Sequence, residues 1–420
     1  MKIAAIALVG LVVAAVALLR LNETGQGAAQ GAGHAFAGES SQPVGPESSQ
    51  PVAREASQAT VTEGSQANSF ACGDRALFTH SPIDPDKILS VTPLGSLDPP
   101  DHTTPTDHIY MVTKSNNNVD TAAARAVVSP GDVTITTITH KTAKKSGQTI
   151  SDDYSIQFSA CKDVNAKFGH VTKLSPVVAQ ALGEGSQNCQ TSRPRPEDEY
   201  TSCRKELSLR VSAGETLGET GGGAPTGLDF VLIDMRTPPL AYANADRYRP
   251  DQLHVVCPLD LFESGVKARL YDKLGGNKTR RTVEPRCGQV MQDIDGTARG
   301  NWITGAGLMD MPESWSRNLA LVHDNFDPTL GQLVIGGTVA SAKRIQFSPT
   351  HSGNVNREFG EVKPDGQVYC YSGVSIHTSN PSQNTRVLIQ MTNSQTLNVE
   401  SQDGGCSGGF SFRSPTVYQR

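Results

Sequence analysis

The residues of this chain with the most chemistry to offer are its cysteines and a short run of histidine and aspartate. Cysteine occurs eight times, as Cys72, Cys161, Cys189, Cys203, Cys257, Cys287, Cys370 and Cys406. An even count with no C-x-x-C pair suits disulfides in an oxidising space, not a zinc ribbon or a thioredoxin-type site. Proximity in the chain makes Cys257–Cys287 and Cys370–Cys406 the expected pairs. His102-Thr-Thr-Pro-Thr-Asp107-His108 places two imidazoles and a carboxylate close together, in a stretch that Pro99, Pro100 and Pro105 mark as loop.

Other chemistry is excluded by missing partners. Gly405-Cys-Ser-Gly-Gly409 has Cys406 where a serine-protease G-D-S-G-G has aspartate, and no A-A-H-C precedes it, so Ser407 is not expected to be a nucleophile. There is no H-E-x-x-H, no Walker A loop and no strand-placed G-x-G-x-x-G. Asp324-Asn-Phe-Asp327 lacks the ligand spacing of a calcium loop. Asp295 to Trp302 is polar and glycine-rich around one of the two tryptophans. Trp302 is expected to be a buried anchor between domains, with stacking on a sugar the competing reading. Asn22-Glu-Thr24 and Asn277-Lys-Thr279 are glycosylation sequons, relevant only where exported proteins are glycosylated.

The elements that must position these residues follow from composition and periodicity. The 420 residues are 37% hydrophobic and 19% charged, with 40 Gly and 25 Pro, a β- and turn-rich mixture that excludes a helical bundle. Lys+Arg 37 against Asp+Glu 42 gives a net charge of −5 with no basic run, so nucleic acid is excluded as a partner. Lys2 precedes an unbroken apolar run from Ile3 to Leu19, closed by Arg20. That run is longer than a typical secretory core and is read as an uncleaved signal anchor over residues 1–21, holding the protein in the membrane with its bulk outside the cytoplasm. If the segment were cleaved, near Ala35-Phe36-Ala37, the protein would be secreted. Residues 22–69, with Glu39-Ser-Ser-Gln-Pro-Val44 repeated as Glu47-Ser-Ser-Gln-Pro-Val52, are too polar to bury a core and are expected to form a disordered tether.

Beyond the tether, strand patterns alternate: Val133 to Thr139, Tyr154 to Phe158, Leu207 to Val211 and Phe230 to Ile233. A helix is expected from Ser175 to Leu182, with Pro176 at its first position and Gly183 after its end, and a second from Pro258 to Leu274. Strands resume at Gln332 to Ile335, Gln367 to Tyr371 and Val387 to Met391. The expected organisation is a β domain over 70–240, a helical connector over 241–299 and a C-terminal antiparallel β domain over 300–420.

Four segments resemble the M23 (LytM-type) zinc endopeptidases. Val127-Val-Ser-Pro-Gly-Asp-Val-Thr134 is similar to V-x-A-P-x-D-G-x-V. Asp153-Tyr-Ser-Ile-Gln-Phe158 followed by Phe168-Gly-His-Val-Thr-Lys-Leu174 resembles a strand leading into Y-x-H-L-S-x-L. Val211-Ser-Ala-Gly-Glu-Thr-Leu-Gly218, with Gly221 and Gly222, is similar to V-x-x-G-Q-x-I-G-x-x-G. Gly227-Leu-Asp-Phe230, with Asp234, stands in the place of H-L-H-F-E. The resemblance spans about residues 95–236 and implies a β-sandwich built around an antiparallel sheet with a groove.

It also implies site roles, with departures. The family holds zinc through H-x-x-x-D and the second His of H-x-H, leaving a position for an activated water. His170 matches the histidine of Y-x-H-L and takes a catalytic role by resemblance. His102, Asp107 and His108 are candidate metal ligands, although the His102–Asp107 spacing is one residue too long. Asp229 falls on the remaining ligand position, and Gly227 falls where the family has an imidazole. The loss at Gly227 favours a domain that binds a cell-wall or surface glycan or peptide without hydrolysing it. A zinc-dependent endopeptidase with an altered ligand set is the alternative, and a structural surface protein with an empty groove is the third reading.

Overall fold

A computed structural model of the protein describes residues 71–73, 76–113, 123–183, 188–193, 196–222, 226–276, 279–309, 311–376 and 385–420. The signal anchor expected over 1–21, the tether over 22–69 and the sequon asparagines Asn22 and Asn277 lie outside them. Among the described residues, no helix is long and apolar enough to cross a membrane. The fold is mainly β, with 45% of the chain in strands and 11% in helices, and it is built from two antiparallel sheets.

The first sheet contains β1 (Ile88–Thr92), β2 (His108–Thr113), β3 (Arg125–Val128), β4 (Val133–Lys145), β5 (Gln148–Cys161), β6 (Val164–Leu174), β7 (Asn188–Ser192), β8 (Asp198–Val211), β9 (Thr216–Thr220) and β10 (Gly227–Asp234). Its spine runs β1-β2-β10-β6-β5-β4-β8-β7, with β3 paired to β9 and β9 to β6. Because side chains alternate across a strand, each of these strands divides its residues between two faces. Ile138, Ile156, Phe158, Phe168, Leu228, Phe230, Ile109 and Met111 go to the buried core. Their sequence neighbours Thr139, Lys141, Ser155, Gln157, Lys167 and Asp229 share the other, polar face.

The hairpin of β4 and β5 extends well past the apolar segments that announce it. Ser146 and Gly147 turn it with φ of 50° and 81°, the left-handed pair that a tight hairpin turn needs. The short helix α1 (Pro176–Leu182) forms where expected: Ser175 Oγ accepts from Val178 N, and Gly183 closes it at φ 52°. Ser175→Ala is expected to remove about 1 kcal/mol of stability, read as a lower urea midpoint with an unchanged slope.

The single helix expected from Pro258 to Leu274 is instead a 3-10 turn at Pro258–Leu261 followed by α2 (Ser264–Tyr271). Phe262 and Glu263 between them are extended. Phe78 N donates to Leu261 O and Glu263 N to Phe78 O, while the Phe262 ring lies 5.2 Å from that of Phe78. A β-bridge and an aromatic contact thus take the backbone groups that a continuous helix would use. The middle of the region read as a connector is part of the first core, with Val255, Cys257, Leu259, Phe262, Leu270 and Leu274 buried in it, while Tyr242 and Tyr248 pack with Ile303 and Met309 and Ala298 lies in the core of the second sheet.

The second sheet comprises β11 (Gly300–Ile303), β12 (Asn318–His323), β13 (Gly331–Ile335), β14 (Lys343–Phe347), β15 (Tyr369–Tyr371), β16 (Val374–Ile376), β17 (Thr385–Asn393), β18 (Thr396–Asp403) and β19 (Thr416–Gln419), in the order β15-β17-β18-β19-β11-β12-β13-β14-β16. Trp302 is fully buried in its core, donates Nε1–H to Ala298 O at 2.9 Å and carries the Arg420 guanidinium 4.1 Å over its ring. It is therefore not a sugar-stacking surface, and it anchors this sheet and not a boundary between sheets. That boundary is held by the other tryptophan, Trp315, edge-on to Tyr200 of β8 at 5.7 Å.

The two sheets also meet through the loop between β1 and β2. Leu97 packs with Ala320, Val322 and Val334. Arg344 Nη1 donates to Leu97 O, Asn325 Nδ2 to Pro93 O, and Thr103 Oγ1 to Trp315 O at 3.4 Å. The second sheet thus holds in place the loop that carries His102 and Asp107.

All eight cysteines are paired: Cys72–Cys161, Cys189–Cys203, Cys257–Cys287 and Cys370–Cys406. The two expected pairs are among them. Four disulfides mark an oxidising, extracytoplasmic environment.

Candidate functional site

Antiparallel pairing brings distant residues to one spot on the polar face of the first sheet. In β10, Asp229 lies opposite Tyr110 of β2 on one side and Gly169 of β6 on the other. An added Cβ at Gly169 would stand 2.8 Å from Asp229 Oδ2, so the glycine leaves the space in which that carboxylate lies.

Strict alternation would turn His170 toward the core, because Phe168 and Val171 are both buried there. The chain avoids this with a bulge. Tyr154 pairs with Val171 and Ile156 with Phe168, so Ser155 faces both Gly169 and His170. His170 takes φ 62° and swings onto the polar face. Thr220 Oγ1, 2.7 Å from both His170 O and Gly227 O, clamps the bulge.

The result is an alternating chain of carboxylates and imidazoles. His108 Nδ1–H donates to Asp107 Oδ1 at 2.9 Å, and His108 Nε2 faces Asp229 Oδ1 at 3.6 Å. His170 Nε2 faces Asp229 Oδ2 at 3.3 Å, and its Nδ1–H donates to Asp153 Oδ2 at 2.9 Å. Asp153 also accepts from Ser151 Oγ. His102 completes the group, its ring 5.4 Å from that of His108 and set edge-on. The structure therefore brings together all five residues singled out in the sequence: His102, Asp107, His108, His170 and Asp229.

Electrostatics divide the histidines into two kinds. Burial, and then the charge of His108, lower His102 to about 4, so it is neutral at physiological pH. Burial also works against charge on His108 and His170. There it is outweighed by the Asp229 carboxylate together with the hydrogen bonds each imidazole donates, to Asp107 and to Asp153, so both imidazoles are held above their ordinary value. Burial would raise Asp107 and Asp229, but the neighbouring imidazoles overcome it and hold both carboxyls below the usual range. Two proton-holding imidazoles beside one neutral imidazole can donate and accept hydrogen bonds to a polar ligand at the same place.

Three further residues join the site without having been assigned a role in the sequence. Asp153 orients His170. Tyr110 sits edge-on to His170 at 6.1 Å, with its hydroxyl pushed up to about 12 by burial. Lys141 lies directly opposite Asp153 on β4. Period-two alternation on β5 was the available clue to Asp153, which shares a face with Ser155 and Gln157.

His102, Asp107, His108 and Asp229 are donor types that zinc accepts. Among the described residues, however, no three His, Cys, Asp or Glu side chains are grouped to hold a metal ion. Both imidazole Nε2 atoms turn onto Asp229 instead.

Gly227 is closed to any side chain. A Cβ there would lie 2.2 Å from Met111 O and 2.9 Å from Met111 C, in the strand-to-strand contact with β2. Gly227→Ala is expected to destabilise the protein by about 1–3 kcal/mol, measured as a shift of the urea midpoint.

The chain matches no family model, no curated protein and no solved structure.

Proposed function

We propose that this is an exported cell-envelope protein, anchored in the membrane by residues 1–21, whose first sheet is an M23-like domain that binds a cell-wall or surface glycan or peptide without hydrolysing it. The observation that carries the reading is at Gly227. The position where the resembling family has a second catalytic imidazole has no room for a Cβ. The imidazoles that are present are tied to carboxylates, an arrangement that presents directed donors and acceptors to a polar ligand.

One observation favours the zinc endopeptidase as the second reading. Each of His108 and His170 is backed at Nδ1 by a carboxylate, the outer-shell support that metal-bound histidines usually have.

The test is retention of the purified full chain on cell-wall material, with zinc content and peptide release measured in the same samples. Retention without turnover supports the binding reading. Stoichiometric zinc after dialysis, with release of wall peptides, overturns it in favour of the peptidase. Neither retention nor turnover leaves a structural surface protein.

A further inference from the structure

The polar face of the first sheet continues from the His–Asp cluster toward β7, in rows set by strand register. One row runs Gln190, Ser202, Lys141, Asp153 across β7, β8, β4 and β5, and the next runs Asn188, Arg204, Thr139, Ser155. Lys167 of β6 stands opposite Gln157 of β5. All of these except Asp153 line a cavity of about 350 Å³. It adjoins the cluster, because Asp153 ends one of its rows and is itself the partner of His170.

Charge in this cavity is unbalanced. Lys141 and Lys167 make no ion pair with any carboxylate among the described residues. Arg204 is engaged with Glu206 at 3.3 Å, at an exposed edge. The nearest acids, Asp107, Asp153 and Asp229, are already committed to His108 and His170. Desolvation, and after it the charge of Lys167, hold the Lys141 ammonium below its ordinary value, a lowering that the more distant carboxylates of Asp153, Asp229 and Asp107 offset only in part. At the floor, Ser155 is 2% exposed and its Oγ has no hydrogen-bond partner. A buried hydroxyl without a partner is uncommon and costly. One facing a cavity rimmed by unpaired cations awaits an acceptor.

We infer that this cavity is an oxyanion subsite, in which Lys141, Lys167 and Ser155, with Arg204 at the rim, take a carboxylate or phosphate group of the ligand whose remainder lies over the His102–Asp229 cluster. The inference rests on the binding function proposed above for its physiological ligand, but the anion site itself can be tested separately. An oxyanion would accept the Ser155 hydroxyl hydrogen, neutralise the Lys141–Lys167 repulsion and be fixed by charge-assisted hydrogen bonds.

The test is calorimetric titration of the full chain with inorganic phosphate and with a hexaglutamate peptide, at low and at high salt. The wild type should bind at least one of them, more weakly as salt rises. A Lys141→Gln/Lys167→Gln variant should lose roughly tenfold or more in affinity, and Ser155→Ala should lose less while keeping the salt dependence. Circular dichroism on both variants establishes that they are folded, and Ser155→Ala, which removes only a hydroxyl, serves if the double variant is not. Preference for phosphate identifies a phosphoryl source, and preference for hexaglutamate a carboxylate one. Failure of the wild type to bind either anion, or unchanged affinity in the folded variants, overturns the subsite whatever wall material does. Anion binding without wall retention leaves the subsite standing and removes the wall-binding reading.

Discussion

Asp229→Ala is expected to abolish retention on wall material and to lower stability by about 3 kcal/mol or more. The carboxylate lies between His108 Nε2 and His170 Nε2 and is largely buried. Its removal leaves two imidazoles, each still bound to its own carboxylate but no longer sharing a central one. Asp229→Asn, which keeps the volume, separates packing from charge. The pH dependence gives the clearest readout. His108 and His170 are raised above 6.5, so the stability they contribute is complete below about 6.5 and is lost as pH rises through their folded values. Asp107 and Asp229 are lowered from 3.8, so their contribution is present above that value and is lost as pH falls through their folded values. His102, lowered to about 4, works in the other direction, costing stability as pH falls from 6.5 towards 4, so urea midpoints of the wild type should be highest near pH 6.5. In Asp229→Asn the decline on the alkaline side should shrink. An identical alkaline decline in wild type and variant would show that Asp229 does not set the protonation of the two imidazoles.

Removal of the Cys72–Cys161 disulfide by paired serine substitution is expected to cost about 4–5 kcal/mol, more than any other single cross-link in the protein. The bond joins residues 89 apart, tying the first described residues to the end of β5, whereas Cys189–Cys203 spans 14. A longer closed loop restricts the unfolded chain more, and the shorter cross-link is worth about 3 kcal/mol on the same basis. Thermal melts of the two paired-serine variants rank them directly. A larger loss for the Cys189–Cys203 variant would mean that native packing around β7 and β8, not chain entropy, controls the effect.

Much of the fold is written in local patterns. Ser175-Pro176 and Gly183 bracket α1 because capping and backbone preference act within a few residues. Val133 to Thr139, Phe230 to Ile233 and Val387 to Met391 are strands because their apolar groups need one buried face. Cys257–Cys287 and Cys370–Cys406 join cysteines that are consecutive in the chain, 30 and 36 residues apart, but proximity alone did not single out Cys189–Cys203, which is closer still at 14. By contrast, the outer half of the β4–β5 hairpin and all of β7 carry no apolar alternation, since pairing and a disulfide hold them instead of burial. Phe262 interrupts an otherwise helical stretch only because Phe78, nearly two hundred residues earlier, offers it a β-bridge.

The same division holds at the site. The sequence by itself determined which residue types were available: His102, Asp107, His108, His170, Asp229 and a glycine at 227. It did so because a side chain's chemistry is local. Tertiary structure alone decided what they do to one another. Antiparallel register set Asp229 between β2 and β6, and a bulge opposite Ser155 turned His170 from the core to the polar face. The second sheet fixed the loop carrying His102, and close strand contact at Met111 closed position 227. Those outcomes depend on distances between residues far apart in the chain, which no local preference encodes.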